Sequence, residues 1–516
     1  MGNIAKKFLF TFLFIVFLVA FAIWLWPINF NPEEKKYIFI VGVIAAWRYT
    51  LFIINAVRAL LYKRYYYPKI EQRARKVKKE DLPEEVFVIV TTFRIPENIS
   101  TEVYRNAIKE IVNCAKDGFR ATLIASVVEK SEENLVKSIW KVINPPENAK
   151  LIITRFAGTG KRDGLAVAFR VLTKEARNLK KAVVALVDGD TILTENSIKS
   201  TLPLFACYKN LGAVTTNEDC VLEEKDFTYK LYKIWYRLRF AQRDTYMSSA
   251  SLSWRVQTLT GRMSVFRGEL FLDPEFIKTV QYDFFEHWRI GWLRFLTGDD
   301  KSTWFYVLKN GWDMLYIPNV MVWTHEYPPS DSFIKGATML MVRWFGNSLR
   351  ATYRAMKIPM KITRPHMWYL IRDQRITMWT GLYGLVGSIL GAIKWGGDIF
   401  LAYIWWVLFT RFLMVLYYAL QRKDFFVSWV PLLYFNQIYG SLVKIYISSH
   451  LYRQKWTRQK TVLAGKESKL DRIYVEVSSN LELYTKVLLF LILTGFLIGF
   501  FDKYDIINLT KIILPN

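Results

Sequence analysis

The chain has 516 residues, 52% of them hydrophobic and 16% aromatic, and still carries a net charge of +26. That mixture suits a protein part embedded in a membrane and part in water. No nucleic-acid-binding motif accompanies the basic excess, so anionic lipid and an anionic substrate or product are its expected partners and nucleic acid is not.

The first element is Phe8 to Trp26, an uncharged run of 19 residues. At about 1.5 Å per residue it matches the roughly 30 Å hydrocarbon core of a bilayer. Lys6-Lys7 flank it as a signal peptide's basic region would, but no small-x-small cleavage site follows, which predicts a retained anchor. Tyr37 to Tyr62 is a second span, with Arg48 and Arg58 inside it. Lys63-Arg64 and the stretch Lys69 to Lys79 then follow, strongly basic, whereas the loop Pro27 to Lys36 is balanced. The excess of basic residues on the cytoplasmic side of membrane proteins puts the N-terminus and the block from about 63 to 376 in the cytoplasm. Cys114, Cys207 and Cys220 all fall in that block, without Cys-x-x-Cys spacing or a nearby His, which argues against a zinc site and for reduced structural cysteines.

Within the block, Val86 to Thr92 is a buried-strand pattern. A helix over about Glu102 to Ala115, a strand Ala121 to Val128, a helix over about Glu132 to Ile143, a strand Leu151 to Arg155 and a helix over about Gly164 to Arg177 follow. They lead to a strand beginning at Val183. Strands alternating with helices predict a parallel sheet with right-handed crossovers and ligands at the carboxyl ends of its strands. Thr92-Phe93-Arg94, Glu129, Gly158 to Lys161 and Asp188-Gly189-Asp190 all lie at such ends, which points to a nucleotide-type site. Residues i and i+2 of a strand share a side, so Asp188 and Asp190 can face one site as hard oxygen ligands for Mg²⁺ or Mn²⁺. The same triplet also makes ordinary turns. Gly158 to Gly164 offers Lys161, Arg162 and backbone N–H groups to a phosphate, or simply starts a helix. It lacks the Lys-Ser/Thr ending of a P-loop.

Leu296-Thr297-Gly298-Asp299-Asp300-Lys301 comes next. Adjacent carboxylates repel, so one has a raised pKa and suits a general base. Ser302 onward looks helical, so Asp299 also reads as a cap with Asp300 facing the site. In Arg343-Trp344, the guanidinium suits a diphosphate and the indole a sugar face, and a membrane-surface anchor is the alternative. Apolar blocks follow at about Met378 to Ile393, Ile399 to Leu420 with Arg411 mid-span, Phe425 to Ser448 and Leu483 to Phe501. Arg453 to Arg472 is basic and expected inside. The parity then requires Phe425 to Ser448, with Pro431, Asn436, Gln437, Gly440 and Lys444, to be interfacial or re-entrant. Five spans result, with six the alternative.

Asp188-x-Asp190, Thr297-Gly298-Asp299-Asp300 and Arg343-Trp344, flanked by spans, resemble the processive family 2 glycosyltransferases, which include cellulose, hyaluronan and chitin synthases. The chain departs from their Gln-x-x-Arg-Trp at Leu340 and has Glu129 where many members have Asp. Longer strings are similar to the mannuronan synthases, the catalytic subunits of alginate polymerases. They are Gly158 to Ala166, Thr215 to Glu218, Leu238 to Arg243, Thr260 to Arg267, Phe295 to Ser302 and Trp456 to Gln459. The likeness runs from about Trp47 to Gln459.

The resemblance implies an α/β, GT-A (Rossmann-like) catalytic domain inserted between transmembrane helices. Two N-terminal spans occupy 1–62, the cytoplasmic domain 63–330, and interfacial helices with the Arg-Trp pair 331–376. The membrane region is 377–516, with a gating-like loop at 451–480. Asp188 and Asp190 would contact a GDP diphosphate and its divalent metal ion, and Asp299 would also bind substrate. Asp300 would deprotonate the acceptor hydroxyl. Lys161, Arg162 and Glu129 would line the nucleotide pocket, Arg343 would hold the diphosphate and Trp344 would border the acceptor. GDP-mannuronate would be the donor and a growing β-1,4-polymannuronate the product, made at the bacterial inner membrane. A PilZ-bearing, cyclic di-GMP-binding copolymerase subunit and envelope export machinery would be partners by the same resemblance. Charges at membrane depth usually face a cavity, so Arg48 and Arg411 are candidate channel residues for the polyanion. A synthase of another β-linked polysaccharide, and a non-catalytic membrane scaffold, are the competing readings.

Overall fold

The computed structural model describes residues 2–156, 160–422, 424–454 and 468–501. The Gly158-Thr159 pair and the Trp456 to Gln459 string lie outside the described residues. The chain forms two compact units. One is built on Asn55–Arg372, and the other on the residues before Asn55, Asp373–Leu451 and the C-terminal helix Lys469–Leu497.

Among the described residues the first unit holds ten strands: β1 Glu85–Thr91, β2 Arg120–Val127, β3 Ala149–Arg155, β4 Ala182–Asp188, β5 Thr191–Ile192, β6 Leu211–Val221, β7 Met263–Arg267, β8 Phe284–His287, β9 Gly291–Arg294 and β10 Asp313–His325. Eight of them form one sheet in the order β3-β2-β1-β4-β7-β6-β10-β5, and β8 and β9 form a separate hairpin. The β-branched run of β1 is buried on both faces, because helices cover each side. Val86, Val88 and Val90 pack towards Val103, Ala107 and Ile111 of the helix Glu97–Lys116. Phe87 and Ile89 point the other way, towards Leu165, Phe169 and Leu172 of the helix Lys161–Glu175.

The strands β3, β2, β1 and β4 are parallel, as the alternating pattern predicts. Strands β6 and β10 are also parallel to each other, but two strands break the pattern. Strand β7 runs antiparallel between β4 and β6, pairing Val187 with Met263, and β5 runs antiparallel to β10. The sheet is therefore mixed. The 25-residue helix Phe227–Ser251 and the loop after it return the chain to the sheet in the opposite direction. Helix starts also differ from expectation. The helix predicted from Gly164 begins at Lys161, and the one predicted from Glu102 begins at Glu97, just after Pro96.

Among the described residues, five helices are long and apolar enough to cross a membrane: Lys6–Leu25, Pro32–Arg75, Pro365–Trp395, Asp398–Arg422 and Lys469–Leu497. The helix Trp429–Ser449, which covers the stretch expected to be interfacial, is not one of them. In the second unit Arg48 reaches Asp373 through two hydrogen bonds, at 2.6 and 3.1 Å.

Candidate active site

Strands β1, β2 and β4 end side by side, with Thr91 in register with both Ser126 and Asp188. Just beyond their carboxyl ends is a cavity of about 130 Å³, walled by Phe93, Ser126, Phe156, Lys161, Asp188 and Asp190. The glycine between the two aspartates is required by packing, since a Cβ on Gly189 would lie 2.5 Å from the Thr91 carbonyl oxygen. Gly261, in the turn before β7, is required for a different reason. A Cβ there would lie 2.5 Å from Asp188 Oδ2.

Lys161 is the hub. Its ammonium is 2.5 Å from Asp188 Oδ1 and 2.8 Å from Asp299 Oδ2. Asp188, Asp299 and Asp300 also wall one small cavity with Thr260, Gly261 and Lys161. Burial alone would lower the Lys161 pKa, but the two carboxylates raise it, so the ammonium stays charged. The adjacent aspartates diverge. Burial would raise Asp299, yet Lys161 and Arg162 bring it below the ordinary carboxylate value. Burial raises Asp300 and the Asp299 charge adds to it, with Lys301 and Lys161 opposing. Asp300 is thus the more basic of the pair. Asp299 is not the helix cap expected of it. Gly298, left-handed at φ 81°, holds that position, and Asp299 lies in the first turn of the helix Asp299–Lys309.

Arg162 departs from its expected place. It is buried, and donates to the Val280 carbonyl at 2.7 Å, the Thr297 carbonyl at 3.1 Å and the Ser302 hydroxyl at 3.0 Å. It braces the backbone behind Asp299 rather than lining the cavity, because neighbouring helical residues point about 100° apart and Lys161 already faces the site. Glu129 sits at the strand edge as expected, immediately before the helix Lys130–Ile143, and pairs with Arg94 at 3.3 Å. It is half exposed.

The helix Phe333–Ala355 joins two motifs. Asn347 accepts the Thr297 hydroxyl at 2.6 Å, and so anchors the segment that carries Asp299 and Asp300. One turn earlier on that helix, Trp344 packs on Trp235 at a centroid distance of 5.7 Å, with the Arg239 guanidinium 3.9 Å over its ring. Arg343, beside it, is near enough to Tyr236 to act on its phenol.

Two groups escaped the sequence reading. Glu218, 1% exposed, forms an ion pair with Arg243 at 3.1 Å and accepts from Arg262 at 3.2 Å, and Arg262 also bonds Glu326. Burial would lower the Arg262 pKa, but Glu218, Glu326 and nearby Asp190 raise it. A part-buried cation is therefore held close enough to Asp190 to interact with it. The available signal was a glutamate inside a strand otherwise buried, which needs a partner. The second is Gln454, whose amide accepts the Leu296 N–H at 3.0 Å and donates to the Arg294 carbonyl at 2.7 Å.

A divalent cation fits Asp188 and Asp190. Both are hard oxygen donors on one cavity wall. Among the described residues no third carboxylate, His or Cys joins them as a metal-binding group. Mg²⁺-type ions are commonly held by one or two carboxylates with substrate phosphates completing the shell.

Residues 83–347 match the family model described as Glycosyltransferase like family 2. A relative from Pseudomonas syringae pv. tomato, named Glycosyltransferase alg8, is 41% identical over 435 residues, 84% of this chain and 87% of its own length. A relative of the same name from Azotobacter vinelandii is 42% identical over 87% of this chain and 90% of its own. Among solved structures, a mannosyltransferase from Pyrobaculum calidifontis in complex with GDP-Man and Mn²⁺ superposes with a TM-score of 0.47 at 17% identity, over 79% of this chain and 98% of that one. The chain is an enzyme of glycosyltransferase family 2 with a GT-A-type domain, and it belongs with the relatives that carry the alg8 name.

Proposed function

We propose that the chain is a processive, inverting synthase that transfers mannuronate from GDP-mannuronate to a growing β-1,4-polymannuronate, the alginate precursor, at the bacterial inner membrane. The observation that carries the catalytic part is the meeting of Asp300 with Asp188 and Lys161 around one small cavity. Asp300 removes the proton from the acceptor hydroxyl as that oxygen attacks the anomeric carbon from the face opposite GDP. The bond from that carbon to the diphosphate oxygen breaks, and GDP departs with the bonding electrons. Lys161 holds Asp188 and Asp299 in place and presents its charge to the leaving diphosphate, with Arg343 as a second cation. Asp188 and Asp190 would hold a divalent ion, which would supply further neutralisation of that diphosphate. Phe93 and Phe156 give the nucleotide apolar walls, and Trp344 borders the acceptor.

The assignment of donor rests on the similarity to relatives named alg8 and on the basic excess, which suits an anionic product. The basic stretch after the second span supports a cytoplasmic place for the domain 63–330, with 331–376 interfacial, and in this reading the membrane region passes the polymer outward. A PilZ-bearing subunit is the expected regulator. The loop expected at 451–480 would gate the site; its residues 455–467 lie outside the described residues, and from Lys469 on it is helical, part of Lys469–Leu497. Incubating membranes that contain the chain with a panel of labelled nucleotide sugars tests the reading. Polymer from GDP-mannuronate alone is expected, abolished by Asp300→Asn. Equal or better polymerisation from a neutral or N-acetylated sugar nucleotide would overturn the donor.

A further inference from the structure

The second unit encloses a cavity of about 450 Å³, bounded by parts of the helices Pro32–Leu61, Pro365–Trp395, Asp398–Arg422 and Trp429–Ser449. Two guanidinium groups line it, and they are not equivalent. Arg48 is neutralised by Asp373, which takes both of its terminal nitrogens. Arg411 contacts only neutral groups among the described residues: the Gln437 carbonyl oxygen, the Tyr49 hydroxyl at 3.3 Å and the Met414 sulfur at 3.5 Å. Gln437 is itself fixed, since its N–H donates to the Gly381 carbonyl at 2.8 Å and turns its oxygen to Arg411. The polar Gln437 on this helix is thereby explained. The cavity carries one positive charge in excess of its internal anions. An ion in apolar surroundings is costly unless it is paired. A guanidinium has five N–H donors in a planar fork, which leaves Arg411 able to take a carboxylate as well.

We propose that this cavity is a uronate-binding site in which Arg411 takes the carboxylate of one sugar unit of the polymer, a step that rests on the reading of the product as a polyuronate. The rest of the wall suits a sugar better than a phospholipid. Trp406 stands edge-on to Tyr49 at 6.0 Å, and Tyr403 meets Tyr434 hydroxyl to hydroxyl at 3.2 Å. Aromatic faces with polar tips pack on pyranose rings and bond their hydroxyl groups, whereas an acyl chain needs neither.

The test uses the full-length chain in nanodiscs of zwitterionic lipid, titrated with a β-1,4-mannuronate hexasaccharide and with its carboxyl-reduced, neutral counterpart. Wild type is expected to prefer the charged hexamer by about tenfold, the worth of one charge-assisted hydrogen-bonded pair. Arg411→Gln removes that preference and Arg411→Lys keeps most of it. Gln437→Glu, near-isosteric with the native side chain, supplies an internal carboxylate and also removes it, which guards against a folding defect in the first variant. Retention of the preference in Arg411→Gln or in Gln437→Glu overturns the proposal. So does a wild-type preference that disappears when anionic lipid replaces the zwitterionic one, because Arg411 then belongs to a headgroup phosphate. A wild type that prefers the charged hexamer but transfers nothing from GDP-mannuronate would overturn the proposed donor and leave this site standing.

Discussion

Lys161 and Asp299 join the first turns of two helices, with Nζ 2.8 Å from Oδ2, while the same ammonium holds Asp188 at 2.5 Å. One cation thus fixes the distance between Asp188 and the Asp299-Asp300 pair, the proposed diphosphate end and base of the site. Removing it leaves two largely buried carboxylates facing each other. Loss of one partner from a buried ion pair costs about 3–5 kcal/mol. Lys161→Met is expected to lower the melting temperature measurably and to stop transfer. Lys161→Arg keeps the charge but not the compact geometry, and retains a small fraction of the rate. Wild-type turnover in Lys161→Met would remove the hub from the mechanism.

Gly261→Ala separates shape from charge. The new Cβ falls 2.5 Å from one Asp188 carboxylate oxygen and 2.9 Å from the other, so that carboxylate must swing away. The fold gives up little, because the clash is with a side-chain end. We expect kcat/KM for the donor to drop at least about tenfold, equivalent to roughly 1.4 kcal/mol of transition-state stabilisation, with the melting temperature nearly unchanged. Steady-state kinetics alongside thermal denaturation read both.

Much of this site was legible because its chemistry is local in sequence. Asp188-Gly-Asp190 ends an apolar strand, and Asp299-Asp300 stand side by side. The parallel strands β3, β2, β1 and β4 followed from the alternation of pattern. What was not legible has definite reasons. Lys161 and Arg162 are chemically alike in the sequence, and only the start of the helix at Lys161 decides which one faces the cavity. Glu218 and Arg262 are 44 residues apart, so nothing local announces their pair. Strand β7 has five residues, too few to encode a direction, and its antiparallel entry depends on the long helix before it.

The Asp299–Asp300 pair predicts a pH profile. A base works only when deprotonated, so activity falls as pH drops through its pKa. Asp300 is raised, by burial first and by the Asp299 charge. The acid limb of kcat/KM therefore lies above the value near 3.9 of an ordinary aspartate, and it is a property of the pair. Asp299→Asn removes the like charge, so the residual activity of that variant is expected to show its acid limb at lower pH. An acid limb moving upward would show that Asp299 does not act on Asp300 in this way.

Gln454 offers the most specific test of how the site is held. Its side-chain amide bonds the Leu296 N–H and the Arg294 carbonyl, two residues on the segment that enters Thr297-Gly298-Asp299. Its side-chain amide bonds neither Asp188 nor Asp300, so a positioning role is the one proposed for it. Each such hydrogen bond contributes about 0.5–1.5 kcal/mol, and a backbone group left unpaired costs more. Gln454→Ala is expected to lower kcat several-fold and leave KM for the donor nearly unchanged, since the diphosphate groups at Asp188 and Lys161 stay in place while the base loses its register. Gln454→Glu still accepts from Leu296 but cannot donate to Arg294, and its charge adds to those of Asp299 and Asp300. Its acid limb is expected at higher pH than that of wild type. A merely structural role would lower the melting temperature in both variants without separating kcat from KM or moving the pH profile, and that pattern would refute the positioning role.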